Sequence, residues 1–124
     1  MTRALAGEDI SRRINEALQG AALRFNRTDV WVDRHRLVEI ARFLKDTPDL
    51  DFAFLTSITG VDYIEEFELV YHLLSMRHNH SVVLKTRCPG RQDPVAPSVV
   101  GVWQGADLQE REIWDLMGVG FEGH

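Results

Sequence analysis

Three strand-like apolar runs, Phe52 to about Ile58, Phe67 to about Ser75 and Ser81 to about Arg87, sit close together in the middle of a 124-residue chain. The middle run constrains the fold most. Side chains alternate across a strand, so Phe67, Leu69, Tyr71 and Leu73 share one face, while Val70, His72 and Leu74 share the other. Both faces are rather apolar. That pattern suits a central strand covered by helices on one side and by another layer, or another protein, on the other. Gly60 with Glu65-Glu66 marks the first turn, and Arg77 to His80 the second.

The flanks supply the helices. Ile10, Ile14, Leu18 and Ala21 fall at spacings of four, four and three, which predicts an amphipathic helix from Glu8 to about Gly20. Ala22 to Phe25 and Val30 to Val32, on either side of the turn-rich Asn26 to Asp29, read as a small hairpin. Asp33 can cap a second helix whose inward face is Leu37, Ile40, Ala41 and Leu44, and Asp46-Thr47-Pro48 stops it. Pro89 to Pro97 reads as a loop, and Ser98 to Trp103 as a short strand or extended run. The expected fold is α+β and two-layered. A mixed sheet carries helices mainly on one face, in the order helix, two strands, helix, three strands, helix, with residues 1–124 as one domain.

Asp107 followed three residues later by Glu110 has the spacing of a capping box, so a helix is expected to begin there. Arg111 and Asp115 share a face, Ile113, Leu116 and Met117 form the apolar side, and Gly118 ends the helix. Read physically, Glu110-Arg111-Glu112 is a solvated, capped, ion-paired helix start.

Composition removes several classes of function. A net charge of -5, with no run of Lys and Arg among aromatics, argues against nucleic-acid binding and against direct adhesion to a membrane. No apolar stretch approaches the ~20 residues that span a bilayer, and the first residues, MTRALAGEDISRR, lack the apolar core of a signal peptide. A single cysteine, Cys88, can neither form an internal disulfide nor hold an iron-sulfur cluster, and it reads as an inert thiol at a strand end in a reducing compartment. His78 and His80 are two apart, as metal ligands on a strand can be. They lack a third partner, and a polar hairpin tip with two exposed histidines needs no metal. Trp103, Trp114 and Phe121 concentrate aromatics near the C-terminus, where one tryptophan is expected in the core and another could anchor a partner.

The terminal string carries more than its physics. Glu110-Arg111-Glu112, two residues, Asp115, two apolar residues, six residues and His124 resembles the motif of a complex I family, that of the thirty-kilodalton subunit of NADH:quinone oxidoreductase. The same domain is found in energy-converting hydrogenases. Leu55 to Tyr63, Phe67 to Ser75 and Ser98 to Trp103 extend the resemblance over about residues 50 to 124.

The resemblance implies a non-catalytic, cofactor-free subunit that assembles and braces the cytoplasmic arm of a respiratory complex and docks on the large quinone-site subunit. Partners would carry the iron-sulfur clusters and FMN. Glu110, Arg111, Glu112, Asp115, Gly118, Phe121 and His124 would be the docking motif, with Arg111 partly buried and bonded to Asp115 among other acceptors. In the family the motif continues into a proline and a basic, apolar tail, whereas this sequence stops at His124. Two alternatives stay open: the equivalent subunit of an energy-converting [NiFe] hydrogenase or related dehydrogenase, and a stand-alone enzyme or ligand-binding domain with a site around His72, Tyr71 and Asp62.

Overall fold

A computed structural model describes residues 1–124. In chain order the elements are β1 (Arg3–Ala4), α1 (Gly7–Ala17), β2 (Ala22–Phe25), β3 (Asp29–Val32), a 3-10 turn (Arg34–Arg36), α2 (Leu37–Asp46), β4 (Phe54–Tyr63), β5 (Glu66–Ser75), β6 (His80–Pro89), β7 (Val95–Pro97), α3 (Ala106–Met117) and β8 (Gly120–Glu122). The main sheet runs β2-β3-β6-β5-β4, with β1 also paired to β6, and β7 and β8 form a separate two-stranded ladder. β1 and β3 run parallel to β6, whereas β2–β3, β4–β5 and β5–β6 are antiparallel. The mixed α+β architecture therefore follows the expected order, with β1, β7 and β8 added.

The alternation along β5 places Phe67, Leu69, Tyr71 and Leu73 against the helices, all at most 4% exposed. They join Ile10 and Ile14 of α1, Leu37, Ile40 and Leu44 of α2, and Ile113 of α3 in one core. Each such aliphatic side chain contributes about 1.5–3 kcal/mol by leaving water. The two amphipathic stripes read from the sequence are thus the layer that covers one face of the sheet.

Local chemistry sets the joints. The Asn26 side chain accepts from the backbone N–H groups of Thr28 and Asp29, which closes the β2–β3 hairpin. Asn15 of α1 bonds both backbone groups of Ala22, tying the helix to the edge strand. Gly7 is needed where α1 meets that hairpin, because a Cβ there would lie 2.2 Å from the Asn26 carbonyl oxygen. Asp33 accepts from the His35 N–H at 2.9 Å, so the expected cap exists, but it closes the 3-10 turn that feeds α2.

Several boundaries differ from the sequence reading. Gly60 lies inside β4, opposite Leu69, and the first hairpin turns at Ile64-Glu65. The small residue at 60 reflects packing: a Cβ would come within 2.3 Å of the Met117 sulfur of α3. Ser98 to Trp103 is turn, while Val95–Pro97, inside the proline-rich stretch, is the strand, because β8 returns to pair with it. His80 is not an exposed hairpin residue. It is 4% exposed and stacks on His78, and the two rings bond the carbonyls of Leu50 and Pro48. The pair latches the loop after α2 to the sheet.

Candidate functional site

The alternative site around His72, Tyr71 and Asp62 does not assemble. Tyr71 is enclosed on the helix side of β5, His72 is exposed on the opposite face, and Asp62 is an exposed partner of Arg91 near the β4–β5 turn. Cys88 is fully buried, and burial pushes its thiol up to about 11, so it stays protonated and unreactive at neutral pH.

The terminal segment, by contrast, is a built unit. α3 begins at Ala106 after Gly105, and no side chain caps it, so the capping-box reading of Asp107 and Glu110 is overturned. Ala106, Glu110 and Ile113 form the inward stripe, at spacings of four and three, with Met117 partly buried at the next turn. Glu110 is therefore carried into the protein, at 1% exposure. Its carboxylate accepts from the Ser98 hydroxyl at 2.6 Å and from the Val99 N–H at 2.9 Å. Burial raises the pKa of this carboxyl above its ordinary range, and the bonds from Ser98 and Val99 and the nearby His124 pull it back only in part.

Gly118 ends α3 as expected, in the left-handed conformation at φ 74°. The chain then reverses into β8, which pairs in parallel with β7 from Val95↔Gly120 to Pro97↔Glu122. The Ser98 N–H donates to the Glu122 carbonyl at 2.7 Å. Ser98 thus meets Glu110 through its hydroxyl and β8 through its backbone, and the three pieces lock together. His124 closes the unit, with its Nε2 2.9 Å from an Asp107 carboxylate oxygen and 4.0 Å from Glu110.

The outward side of α3 is different in character. Arg111 is exposed and only 4.0 Å from Asp107, and it makes no pair with Asp115, which corrects the expectation of a partly buried, multiply bonded arginine. Asp107 is taken by His124 instead. Glu112 and Asp115 are exposed, as are Leu108 at 64%, Trp114 at 57% and Leu116 at 84%. Leu116 therefore lies outside, not on the apolar inner side that its spacing suggests. Trp103 is the core tryptophan, 4% exposed, with its indole N–H on the Phe52 carbonyl, which leaves Trp114 as the free one. Glu110, Arg111, Trp114, Gly120, Phe121 and His124 line an open hollow of about 340 Å³ between α3 and β8. Four of the seven motif residues thus surround one concavity, while Glu112, Asp115 and Gly118 stand outside its wall. No group of His, Cys, Asp and Glu in the chain is arranged to hold a metal ion, and no helix is long and apolar enough to cross a membrane.

Comparison with known proteins identifies the family. The family model described as "Respiratory-chain NADH dehydrogenase, 30 Kd subunit" matches residues 30–124, farther upstream than the motifs alone indicate. The C subunit of the NADH-quinone oxidoreductase of Roseiflexus sp. (strain RS-1) is 38% identical over 120 residues, covering 94% of this chain and 68% of the relative. The C 2 subunit of the same enzyme in Rhizobium meliloti (strain 1021) is 46% identical over 96 residues, covering 75% of this chain and 52% of the relative. The chain thus spans roughly half to two thirds of the length of these relatives. Among solved structures, a chain of the membrane-bound sulfane sulfur reductase, an archaeal respiratory membrane complex, superposes with a TM-score of 0.78 at 31% identity, over 95% of this chain and 71% of that one. By the family match over residues 30–124 and by these relatives, the chain belongs to the 30 Kd subunit family of the respiratory-chain NADH dehydrogenase.

Proposed function

We infer that this chain is a structural and assembly subunit of a membrane-bound NADH:quinone oxidoreductase, without catalytic residues or a cofactor of its own. It docks through α3 and β8 on the large quinone-site subunit in the cytoplasmic arm, while neighbouring subunits carry the iron-sulfur clusters and FMN. The observation that carries this reading is the outward side of α3. Trp114 is more than half exposed, lies three residues from the exposed Arg111 on the same flank of the helix, and lines the hollow together with Arg111, Phe121 and His124. Tryptophan and arginine are the side chains that most often anchor protein contacts, and here an exposed pair of them borders one concavity. The docking motif is Glu110, Arg111, Glu112, Asp115, Gly118, Phe121 and His124. Within it, Glu110 and Gly118 shape the segment, and Arg111, Phe121 and His124 face the partner.

Trp114→Ala and Arg111→Ala test the reading. Both side chains are exposed, so each variant is expected to melt within about 1 kcal/mol of the parent, and each is expected to lower recovery of the native complex when the tagged subunit is purified from membranes. Full assembly of both variants would remove α3 as the docking element. The likeness to a chain of the sulfane sulfur reductase favours a second reading, the equivalent subunit of a hydrogenase-type or related complex. Identifying the proteins that co-purify separates the two.

A further inference from the structure

On the sheet face that the helices leave open, one carboxylate is buried nonetheless. Glu68 of β5 is 2% exposed, and a single oxygen of it accepts both the Trp31 indole N–H at 2.9 Å and the Arg87 Nε–H at 2.7 Å. Arg87 also donates to Glu66. A buried carboxylate is tolerated only when fully engaged. Here the engagement fixes the orientation of an indole and a guanidinium at the surface. Trp31 in turn carries Arg24, whose guanidinium lies 4.5 Å from the ring centroid, and Lys85 at 4.9 Å.

These groups border a cleft of about 470 Å³, whose other walls include Arg34 and His35 of the 3-10 turn. The cations at the cleft differ in their partners. Arg87 is neutralised by Glu66 and Glu68, and Lys85 by Asp29. One oxygen of the Asp33 carboxylate accepts from the His35 N–H, and Asp33 makes no ion pair. Arg24 and Arg34 pair with no carboxylate. Arg34 is held by the Val95 carbonyl at 2.6 Å and lies 3.3 Å from the His35 ring nitrogen, while Arg24 is held on the indole. In a chain of net charge -5, two positioned guanidinium groups without a carboxylate partner at one cleft are not a by-product of a basic composition.

We propose that this cleft, between β2, β3, β6 and the 3-10 turn, binds a small, multiply charged oxyanion, with Arg24 and Arg34 as its recognition groups. Guanidinium groups meet phosphoryl and carboxylate oxygens in paired hydrogen bonds, a geometry that chloride cannot reproduce. The volume is in the range of small-ligand sites. Arg87, oriented by Glu66 and Glu68, lies along the same wall. The site is separate from the docking motif, so it stands or falls apart from the assembly role.

The test uses the full chain in low-salt buffer, with inorganic phosphate as the first probe, succinate as the second, and sodium chloride at matched ionic strength as control. Binding is followed by calorimetry and by the indole N–H resonance of Trp31. One saturable site is expected for phosphate or for succinate, and whichever binds more tightly assigns the oxyanion class. Arg24→Gln is expected to weaken it by about tenfold or more while melting like the parent in chloride, since Arg24 is an exposed edge residue. Arg34→Lys, which keeps the charge and loses the fork, is expected to weaken it as well. An equal response to matched chloride, no saturable binding of either probe, or unchanged binding by Arg24→Gln would overturn the proposal.

Discussion

Glu110 is where the physics of the terminal segment can be tested most sharply. In Glu110→Ala, the Val99 N–H, on a residue with no exposure, and the Ser98 hydroxyl, on a residue at 9%, both lose their acceptor. Each unmet buried donor is worth about 1–3 kcal/mol, and part of that is offset because a desolvated carboxylate is removed with it. A net loss of about 2–4 kcal/mol is expected. At roughly 4 °C per kcal/mol for a chain of this size, the variant melts about 8–16 °C lower. Glu110→Gln keeps an oxygen for the Val99 N–H and gives Ser98 an amide donor, so it is expected within about 1 kcal/mol of the parent near neutral pH.

The two variants also separate the charge from the shape. Because burial raises the Glu110 pKa in the fold, the folded state holds this proton more tightly than the unfolded chain does. The stability linked to it is fully present below the unfolded carboxylate value and is lost as pH rises through the raised folded value. Asp49 and Asp62 act in the opposite sense. Hydrogen bonds from Arg13 and Arg91 hold them below the ordinary range, so their contribution is present above the unfolded value and lost as pH falls. Urea unfolding of parent and Glu110→Gln across pH 4 to 8 (roughly the span between an unperturbed carboxylate and neutrality) cancels the aspartates in the difference. That difference should move against the parent as pH rises. A flat difference, or Glu110→Ala as stable as the parent, would refute the inward clamp.

Two further predictions test the core. Gly7→Ala should destabilise by about 1–3 kcal/mol, since its Cβ would meet the backbone oxygens of Asn26 and Asp29 at 2.2 and 2.7 Å, and both belong to a closed hairpin rather than to a yielding side chain; chemical denaturation reads this. Cys88 should resist a thiol reagent at pH 8 (about the pKa of an ordinary free thiol) in the native protein and react at once in urea, and mass spectrometry of the alkylated chain gives the answer.

The elements with strong periodicity are legible in the sequence itself. The stripe of α2, the two-sided apolarity of β5 and the Asn26 turn all lie where local pattern puts them, because each pattern is satisfied by the same buried face. What stays hidden depends on residues far apart along the chain. β7 is a strand only because β8 returns to it, and a stretch holding Pro94 and Pro97 gives no local sign of that. His80 reads as a polar hairpin residue until its ring is seen bonded to Leu50, thirty positions away. Glu68 sits at an alternating position of β5 that any pattern would leave to solvent, and only Trp31 and Arg87, from two other strands, explain its burial.

The motif itself shows why a family string can be recognised before it is understood. A carboxylate three residues after an aspartate has the spacing of a capping box, and that local rule places Glu110 outside. Yet Ala106, Ile113 and Met117 bracket Glu110 at helical spacing, and once that stripe faces inward the glutamate must go with it. The burial then requires donors, and Ser98 and Val99 supply them from the turn just before the helix. With Glu110 inside and Asp107 bonded to His124, Arg111 is left without a close carboxylate, and Leu108, Trp114 and Leu116 are turned to solvent by the same rotation. One buried side chain thus fixes which residues remain for a partner. The clamp is therefore expected to tolerate glutamine in assembly, and Arg111 and Trp114 are expected not to tolerate alanine.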